Sequence, residues 1–137
     1  MGTWFYQNDT RKWLNRQLTR YRKDGFGYFA VILKQAGMLI GQVGLLKSEI
    51  EGKEVVELGY MFDNGYWHQD YCTEVANVCT RHAFTSPNIE VLYCSICPEN
   101  LASIRIAEKL GMKKIGEHTV LYREKEMPHL IYRVDNL

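Results

Sequence analysis

The stretch over residues 59–74, which reads GYMFDNGYWHQDYCTE, most restricts the folds open to this chain. Its first residues have the apolar character of a strand, a turn follows, and a helical pattern begins near Tyr71. The amides at the start of a helix have no partners within the helix, and the helix dipole adds partial positive charge there. The junction is therefore predicted to receive an anion such as phosphate. Asp70 lies in its middle, so its carboxylate either takes the place of that anion or repels it.

The length and charge of the chain bound the kind of protein it is. With 137 residues, 46% of them apolar, we expect one domain over 1–137 with a buried core. A formal net charge of +1 and a pI near 7.7 disfavour a broad nucleic-acid or membrane surface. No apolar run approaches the roughly 18 to 20 residues of a membrane span, and the N-terminus lacks a signal-peptide core. We expect a cytoplasmic protein with a small or specific partner.

The four cysteines raise the question of a metal site. Cys94 and Cys97 are spaced as in zinc sites, but no second close pair follows and the histidines are scattered. A tetrahedral zinc site needs four ligands, so we predict no metal. The cysteines are instead interpreted as free thiols that behave as small buried apolar residues.

Hydrophobic periodicity predicts an alternation of helices and strands. In chain order we expect a helix over 10–24, strands over 26–33, 38–46 and 54–62, a helix over 71–84, a strand over 90–96, a helix over 100–111, and strands over 112–121 and 129–134. The polar segment 48–53 is predicted to connect the second and third strands. Asn100 is the expected N-cap of the third helix, and Gly111 its stop.

The helical faces can also be predicted. For the first helix we expect a cap at Asn8, Asp9 or Thr10 and a buried face made of Trp13, Leu14, Leu18 and Tyr21. For the second helix we expect the inward residues to be Val75, Val78, Cys79 and either His82 or Ala83. The basic residues of the first helix are interpreted as a solvated face.

Three segments in this order resemble the GCN5-related N-acetyltransferases, and most closely their ribosomal-protein-alanine acetyltransferase branch. They are GMLIGQVGL over 37–45, the stretch from Glu57 to Glu74, and NLASIRIAEKLGM over 100–112. The resemblance implies an α/β fold of GNAT type, with a central mixed, mostly antiparallel sheet and helices on both faces. Relatives begin with a further strand and helix, which we expect this chain to lack.

The resemblance also implies a reaction, acetyl transfer from acetyl-CoA to a primary amine of a protein N-terminus or a small molecule. The thioester would lie where two central parallel strands splay apart. Carried over residue by residue, the backbone of Tyr60, Met61 and Phe62 would pair with the pantetheine arm, which Asn100 and Ser103 would also contact. The amides for the pyrophosphate would come from His68, Gln69, Asp70, Tyr71, Cys72 and Thr73.

The resemblance further implies two catalytic roles. Glu57 is the expected general base for the attacking ammonium, and the alternative is a solvent-facing strand residue paired with a lysine. Many relatives protonate the leaving thiolate with a tyrosine whose position here is held by Ala107. Ser103 or a water is expected to serve instead, with Tyr93 and Tyr122 as further candidates.

Two departures from the family pattern remain. In the cradle, Cys72 replaces a small residue and Asp70 replaces a glycine, which predicts weakened coenzyme binding by charge repulsion. Alternatively, Asp70 is an N-cap bonded to the amide of Cys72 or Thr73, with His68 and Gln69 as compensating donors. A catalytically weak relative that acts as a binding or regulatory module is the second functional hypothesis.

The first residues of the chain predict self-association. Trp4, Phe5 and Tyr6 form an apolar edge that we expect to mediate a homodimer, because unpaired strands and apolar patches invite association.

Overall fold

The structure is a computed structural model, and it describes residues 7–66, 69–122 and 124–136. The described elements in chain order are α1 (Gln7–Lys23), β1 (Tyr28–Leu33), β2 (Met38–Ile50), β3 (Lys53–Phe62), a single 3-10 turn (Asn64–Tyr66), α2 (Tyr71–Ala83), β4 (Val91–Ile96), α3 (Leu101–Lys109), β5 (Lys113–Tyr122) and β6 (Lys125–Asp135). The predicted order of helices and strands is confirmed. Among the described helices, none is long and apolar enough to cross a membrane.

The strands form one mixed sheet in the order β1-β2-β3-β4-β6-β5. Neighbouring strands run antiparallel except β3 and β4, which are parallel. The β2–β3 ladder runs from the pair Gly41 and Phe62 to the pair Ile50 and Lys53. The described part of the β3–β4 ladder has one registered pair, Glu57 with Tyr93. The two central parallel strands therefore separate beyond Glu57, as the family resemblance implied.

Helices cover both faces of this sheet, which confirms the predicted architecture. On one face, Leu58 of β3 and Leu92 of β4 belong to the main core together with Ala76 of α2 and Ala107 of α3. On the other face a smaller cluster contains Ile50, Val55, Tyr93 and Ile131. α1 reaches this second face, because Trp13 stacks on Tyr28 at 6.4 Å between ring centroids.

The predicted buried face of α1 is confirmed for Trp13 and Tyr21, which are half-buried against β1, and is wrong for Leu14 and Leu18. Gln17 is only 2% exposed, whereas Leu14 and Leu18 are 50% and 46% exposed. Gln17 is buried because the backbone N–H of Tyr28, at the start of β1, needs an acceptor. It donates to Oε1 of Gln17 at 3.3 Å. The predicted caps are also wrong, since residues 8–10 already lie inside a helix that extends to Gln7.

Two further predictions need correction. The expected connector over 48–53 is a tight turn at Glu51 and Gly52, with φ of 51° and 79°, and β2 continues to Ile50. Two consecutive positive φ values are typical of a type I′ hairpin, whose twist matches that of the strands. On α2, Val78 is 53% exposed, and His82 is exposed as well. The predicted Ala83 is buried, and the predicted Val75 and Cys79 pack against the main core. Ala76 and Thr80 are buried as well, and these small side chains let the helix approach the sheet.

The predicted ends of α3 are confirmed. The side-chain oxygen of Asn100 accepts a hydrogen bond from the amide of Ser103 at 3.1 Å, as an N-cap does. Gly111 follows the helix with φ of 85°, a left-handed conformation that glycine adopts without strain. Both ends of α3 are thus set by local chemistry.

Candidate active site

Two cavities meet where β3 and β4 separate. One has a volume of about 320 Å³ and lies on the α1 face of the sheet, beside Glu57 and Tyr28, and we call it the α1-side cavity. The other has a volume of about 220 Å³ and lies between the end of β3, the start of α2 and α3, and we call it the α2-side cavity. Both are lined by Tyr60, Asn100 and Ser103. The splay is therefore open to both faces of the sheet.

The start of α2 opens onto the α2-side cavity. The first hydrogen bond within α2 runs from the amide of Glu74 to the carbonyl of Asp70 at 2.9 Å. The amides of Tyr71, Cys72 and Thr73 precede that bond, so the helix itself supplies no acceptor for them. Cys72 and Thr73 line the cavity. The start of α2 thus places amides without helical partners beside a cavity, as the predicted anion cradle requires, and anion binding there stays a prediction.

Asp70 does not cap this helix as the sequence suggested. Its φ of 62° and ψ of 2° are left-handed, and its side chain makes no capping hydrogen bond. An N-cap residue needs extended backbone angles for its side chain to reach the second or third amide, and the left-handed conformation does not provide them. The carboxylate instead accepts from the ammonium of Lys109 on α3 at 3.3 Å.

The charges around Asp70 change the electrostatics expected from the sequence. Arg105 and Lys109 line the α2-side cavity together with Asp70, so these three residues carry a net charge of +1. Both cations lie on α3, four residues apart, and therefore on one helical face. That spacing is their only signal in the sequence, and neither residue was among the predicted site residues. The cavity combines helix amides with a surplus of positive charge.

The remaining cradle residues have mixed outcomes. The side-chain amide of Gln69 donates to the carbonyl of Gly65 at 2.9 Å, so one of its donors is used locally. His68 lies outside the described residues. Burial raises the pKa of the Cys72 thiol to about 12, so the side chain is a neutral, compact group beside the amides. Tyr66 lines the α2-side cavity and was not among the predicted site residues; its ring lies 6.3 Å from that of Tyr71.

Tyr60 and Asn100 hold the junction between the two cavities. The hydroxyl of Tyr60 donates to the carbonyl of Ser103 at 2.8 Å, which ties β3 to α3 across the splay. Burial raises the pKa of Tyr60 well above its usual value, so the phenol stays protonated and keeps this bond. Because Asn100 uses its side-chain oxygen as the cap, its NH₂ group remains for a ligand. The hydroxyl of Ser103 makes no hydrogen bond within the described part of the chain.

Glu57 is half-buried and lines the α1-side cavity. The described residues include no lysine or arginine within ion-pair distance of its carboxylate. Lys47 pairs instead with Asp24 at 3.8 Å and Glu54 at 4.0 Å. The predicted lysine-paired alternative for Glu57 is therefore not what the structure contains. Its carboxylate is available to a ligand in the cavity.

Tyr28 is a lining residue that no sequence signal identified. Its hydroxyl contacts Gly59 of β3, at the position where any larger residue would carry a Cβ. Burial raises the pKa of Tyr28, the positive charge of Arg20 lowers it, and the negative charge of Glu57 raises it. A protonated phenol therefore lies beside the Glu57 carboxylate.

The other candidates for proton donor include one residue that the structure describes, Tyr93, and it is not brought to the cavities. Tyr93 lines neither cavity, and its hydroxyl accepts from Arg133 at 3.5 Å. The side chain of Tyr122 lies outside the described residues. Ala107 is fully buried and carries no donor. In the described part of the chain, no three His, Cys, Asp or Glu side chains are arranged to hold a metal ion.

Comparison with known proteins identifies relatives of this architecture. A family model described as an acetyltransferase (GNAT) domain matches residues 2–113. The uncharacterized protein YkkB of Bacillus subtilis is 34% identical over 106 residues, which cover 77% of this chain and 62% of that protein. The chain thus spans about three fifths of that relative's length.

Solved structures share the fold. A ribosomal-protein-S5-alanine acetyltransferase from Vibrio fischeri superposes with a TM-score of 0.77 at 20% identity, covering 94% of this chain and 72% of that one. RimL, a ribosomal L7/L12 α-N-protein acetyltransferase solved with coenzyme A, superposes with a TM-score of 0.79 at 14% identity. The superposition covers 96% of this chain and 73% of the RimL chain.

Proposed function

The chain belongs to the GNAT acetyltransferase family, and from this premise we propose that it moves an acetyl group from acetyl-CoA to a primary amine. The observation that carries the proposal is the separation of β3 from β4, with a cavity on each face joined at Tyr60, Asn100 and Ser103. One cavity has the features of an anion site, and the other holds a carboxylate without a basic partner among the described residues. Coenzyme and acceptor would meet between them.

The coenzyme is proposed to occupy the α2-side cavity. The backbone of Tyr60, Met61 and Phe62 would face the pantetheine arm, with the Asn100 NH₂ group and Ser103 on its other side. The pyrophosphate would accept hydrogen bonds from backbone amides around the start of α2. These amides belong to His68, Gln69, Asp70, Tyr71, Cys72 and Thr73. Helix amides bind phosphate without a charged side chain, and Arg105 and Lys109 add charge that favours an anion.

The amine is proposed to enter from the α1-side cavity. Glu57 would take a proton from the ammonium, directly or through a water, and the free amine would attack the thioester carbonyl. Ser103 would donate its hydroxyl proton to the departing coenzyme A thiolate and would recover a proton from the attacking nitrogen, which becomes the amide nitrogen. Such proton transfers contribute roughly 100- to 10,000-fold each in rate.

Replacing Glu57 tests the proposal. We expect Glu57→Gln to lower the rate of coenzyme A release in the presence of amines by roughly 100- to 10,000-fold, because the amide cannot accept the proton. The assay measures free thiol over a panel of N-terminal peptides and small amines. Glu54→Gln is the matched control, since Glu54 lies on the same strand but is 79% exposed and pairs with Lys47. A Glu57→Gln variant with the wild-type rate would exclude this residue as the base.

A binding or regulatory module is the second candidate function. The left-handed Asp70 favours it, because a carboxylate lies beside the amides intended for phosphate. This alternative predicts that calorimetry detects no acetyl-CoA binding and that no amine in the panel releases coenzyme A. Acetyl-CoA turnover with any of those amines would exclude it.

We further propose a cytoplasmic homodimer. The predicted contact at Trp4, Phe5 and Tyr6 lies outside the described residues. Among the described ones, the proposal is supported by exposed apolar side chains at Leu14 and Leu18 on α1 and at Phe29 and Ile32 on β1. Sedimentation velocity at micromolar concentration is expected to give the mass of two chains. A stable monomer under these conditions would contradict the proposal.

A further inference from the structure

Cys97 and His129 form a thiol–imidazole pair that the mechanism above does not use. Sγ of Cys97 lies 3.4 Å from Nε2 of His129. The other ring nitrogen, Nδ1, lies 3.2 Å from the carbonyl of Met127. A carbonyl only accepts, so Nδ1 carries the hydrogen and Nε2 presents its lone pair to the thiol. In this tautomer His129 is set to remove the Cys97 proton.

This pair lies in the site and not in the core. Cys97 and His129 both line the α1-side cavity, and both are partly exposed. Asn100 and Ser103, which connect the two cavities, begin three residues after Cys97 in the chain. A thioester held at the junction of the cavities is therefore delivered to the space that Cys97 faces.

The orientation of His129 is supported by its neighbours. The ring of His118 meets it edge-on, with centroids 6.3 Å apart, and Nε2 of His118 lies 2.7 Å from the hydroxyl of Ser95. The imidazole is thus held between a backbone carbonyl, a second ring and the thiol. Charged groups around the same cavity are Glu57, Arg20 and Lys47.

The other three cysteines have different environments. Burial raises the pKa of Cys72 to about 12, that of Cys79 to about 11 and that of Cys94 to about 12. Among the described contacts, none of these three sulfurs lies against an imidazole. The thiolate is the nucleophilic form of cysteine, and a neighbouring base generates it. Cys97 is therefore the cysteine in a position to react.

We propose that Cys97 is a second acyl acceptor in this site and takes the acetyl group of acetyl-CoA by thioester exchange. Nε2 of His129 removes the thiol proton, and Sγ attacks the acetyl carbonyl. The bond between that carbonyl and the coenzyme sulfur breaks, and His129 returns the proton to the coenzyme A thiolate. One thioester is lost and one is formed, so the step needs no oxidant or further reactant.

This inference rests on the proposed function, because it requires acetyl-CoA to bind at the splay. The test incubates the full chain with acetyl-CoA without an amine and measures intact mass, the modified peptide and free coenzyme A. We expect one added acetyl group on Cys97, removed by neutral hydroxylamine, with one coenzyme A released per chain. Cys97→Ser should remain without this thioester, and Cys79→Ser should be acetylated like the wild type.

The role of His129 needs its own variant. His129→Gln is expected to slow the acetylation of Cys97 by roughly 100-fold or more, since the proton acceptor is lost. His82→Gln is the matched control, because His82 is exposed on α2 and lines neither cavity. A neutral alkylating reagent should also modify Cys97 more slowly in His129→Gln than in the wild type or His82→Gln. A purely structural role of His129 would not produce this difference. Unchanged acetylation and alkylation rates in His129→Gln would overturn the assigned pair.

Two measurements separate failure of this inference from failure of the proposed function. If calorimetry detects acetyl-CoA binding but Cys97 stays unmodified, or Cys72 is modified instead, the inference is overturned while the coenzyme site stands. If acetyl-CoA does not bind, the small thioester S-acetyl-N-acetylcysteamine, which needs no phosphate cradle, replaces it. His129-dependent acetylation of Cys97 by this probe would support the inference, and its absence would overturn it.

Discussion

At the scale of single residues, Asp70 behaves differently in the structure from what its sequence position predicts. The sequence identified a carboxylate at a glycine position and predicted either repulsion or capping. In the structure the residue keeps the left-handed conformation that glycine adopts freely, at a cost of about 1 to 2 kcal/mol. Its carboxylate forms an ion pair with Lys109, which offsets part of its charge beside the phosphate site. Both partners are more than half exposed, so the pair contributes only about 0 to 1 kcal/mol.

Asp70→Gly should therefore improve both stability and coenzyme binding. We expect a gain in unfolding free energy of about 1 kcal/mol from relief of the left-handed conformation. Acetyl-CoA should bind several-fold more tightly, since removing an exposed charge is worth about 1 kcal/mol or less. Urea unfolding and isothermal titration measure the two effects.

Asp70→Asn separates charge from shape in that experiment. Asparagine tolerates the left-handed region and carries no charge, so it removes the repulsion but keeps the side chain. Equal affinities for the wild type and both variants would show that Asp70 does not limit coenzyme binding.

At the scale of elements, close approaches between neighbouring segments position the α1-side cavity. Gly44 of β2 lies opposite Tyr28 of β1, and a Cβ on it would collide with the carbonyl of Gly27 and lie 2.6 Å from the Cα of Tyr28. These are backbone atoms, which cannot move aside as a flexible side chain does. The absence of a side chain at Gly44 therefore lets Tyr28 reach Gly59 beside Glu57.

Gly44→Ala is expected to destabilise the protein by about 1 to 3 kcal/mol, the usual cost of overpacking. Urea unfolding gives this value directly. Gly116→Ala on β5 is the matched control, because a Cβ there meets nothing within 4 Å, and we expect a change within about 0.5 kcal/mol. Equal losses in the two variants would mean that the contact with Gly27 is relieved by movement of β1.

At the scale of the whole molecule, buried thiols make the stability of the core depend on pH in the alkaline range. Cys94 is 2% exposed in the main core and donates to the carbonyl of Leu58 at 3.2 Å. Burial raises its pKa to about 12, and the nearby Glu57 charge acts in the same direction. The unfolded thiol ionises near about pH 8.5. The unfolded state therefore loses its proton first, so stability is full below that pH and falls as pH rises toward about 12.

We expect the urea midpoint of the wild type to fall between about pH 8 and about pH 10, with Cys94 contributing up to about 1.4 kcal/mol per pH unit. Cys94→Ala should be less stable at neutral pH but should lose less stability over this interval. Parallel pH profiles for the two proteins would show that this thiol does not ionise preferentially in the unfolded state.

Much of the architecture was readable from the sequence because its signals are local. The Asn100 cap, the Gly111 stop and the strand-to-helix change before Tyr71 depend on residues within a few positions of one another. The buried faces of α1 and α2 were readable only in part. Gln17 is buried because a strand end needs its oxygen, and Val78 is exposed because smaller residues face the sheet.

By itself, the sequence determined the order of elements through periodicity, and the resemblance of three segments indicated the family and the strands that bound the splay. Periodicity and short motifs are properties of residues close together in the chain. Only the tertiary structure decided which distant side chains share a cavity. It joined Lys109 to Asp70, left Glu57 without a described basic partner, and brought His129 of β6 to Cys97 after β4. These contacts span tens of residues and depend on sheet order and register, so no local pattern encodes them.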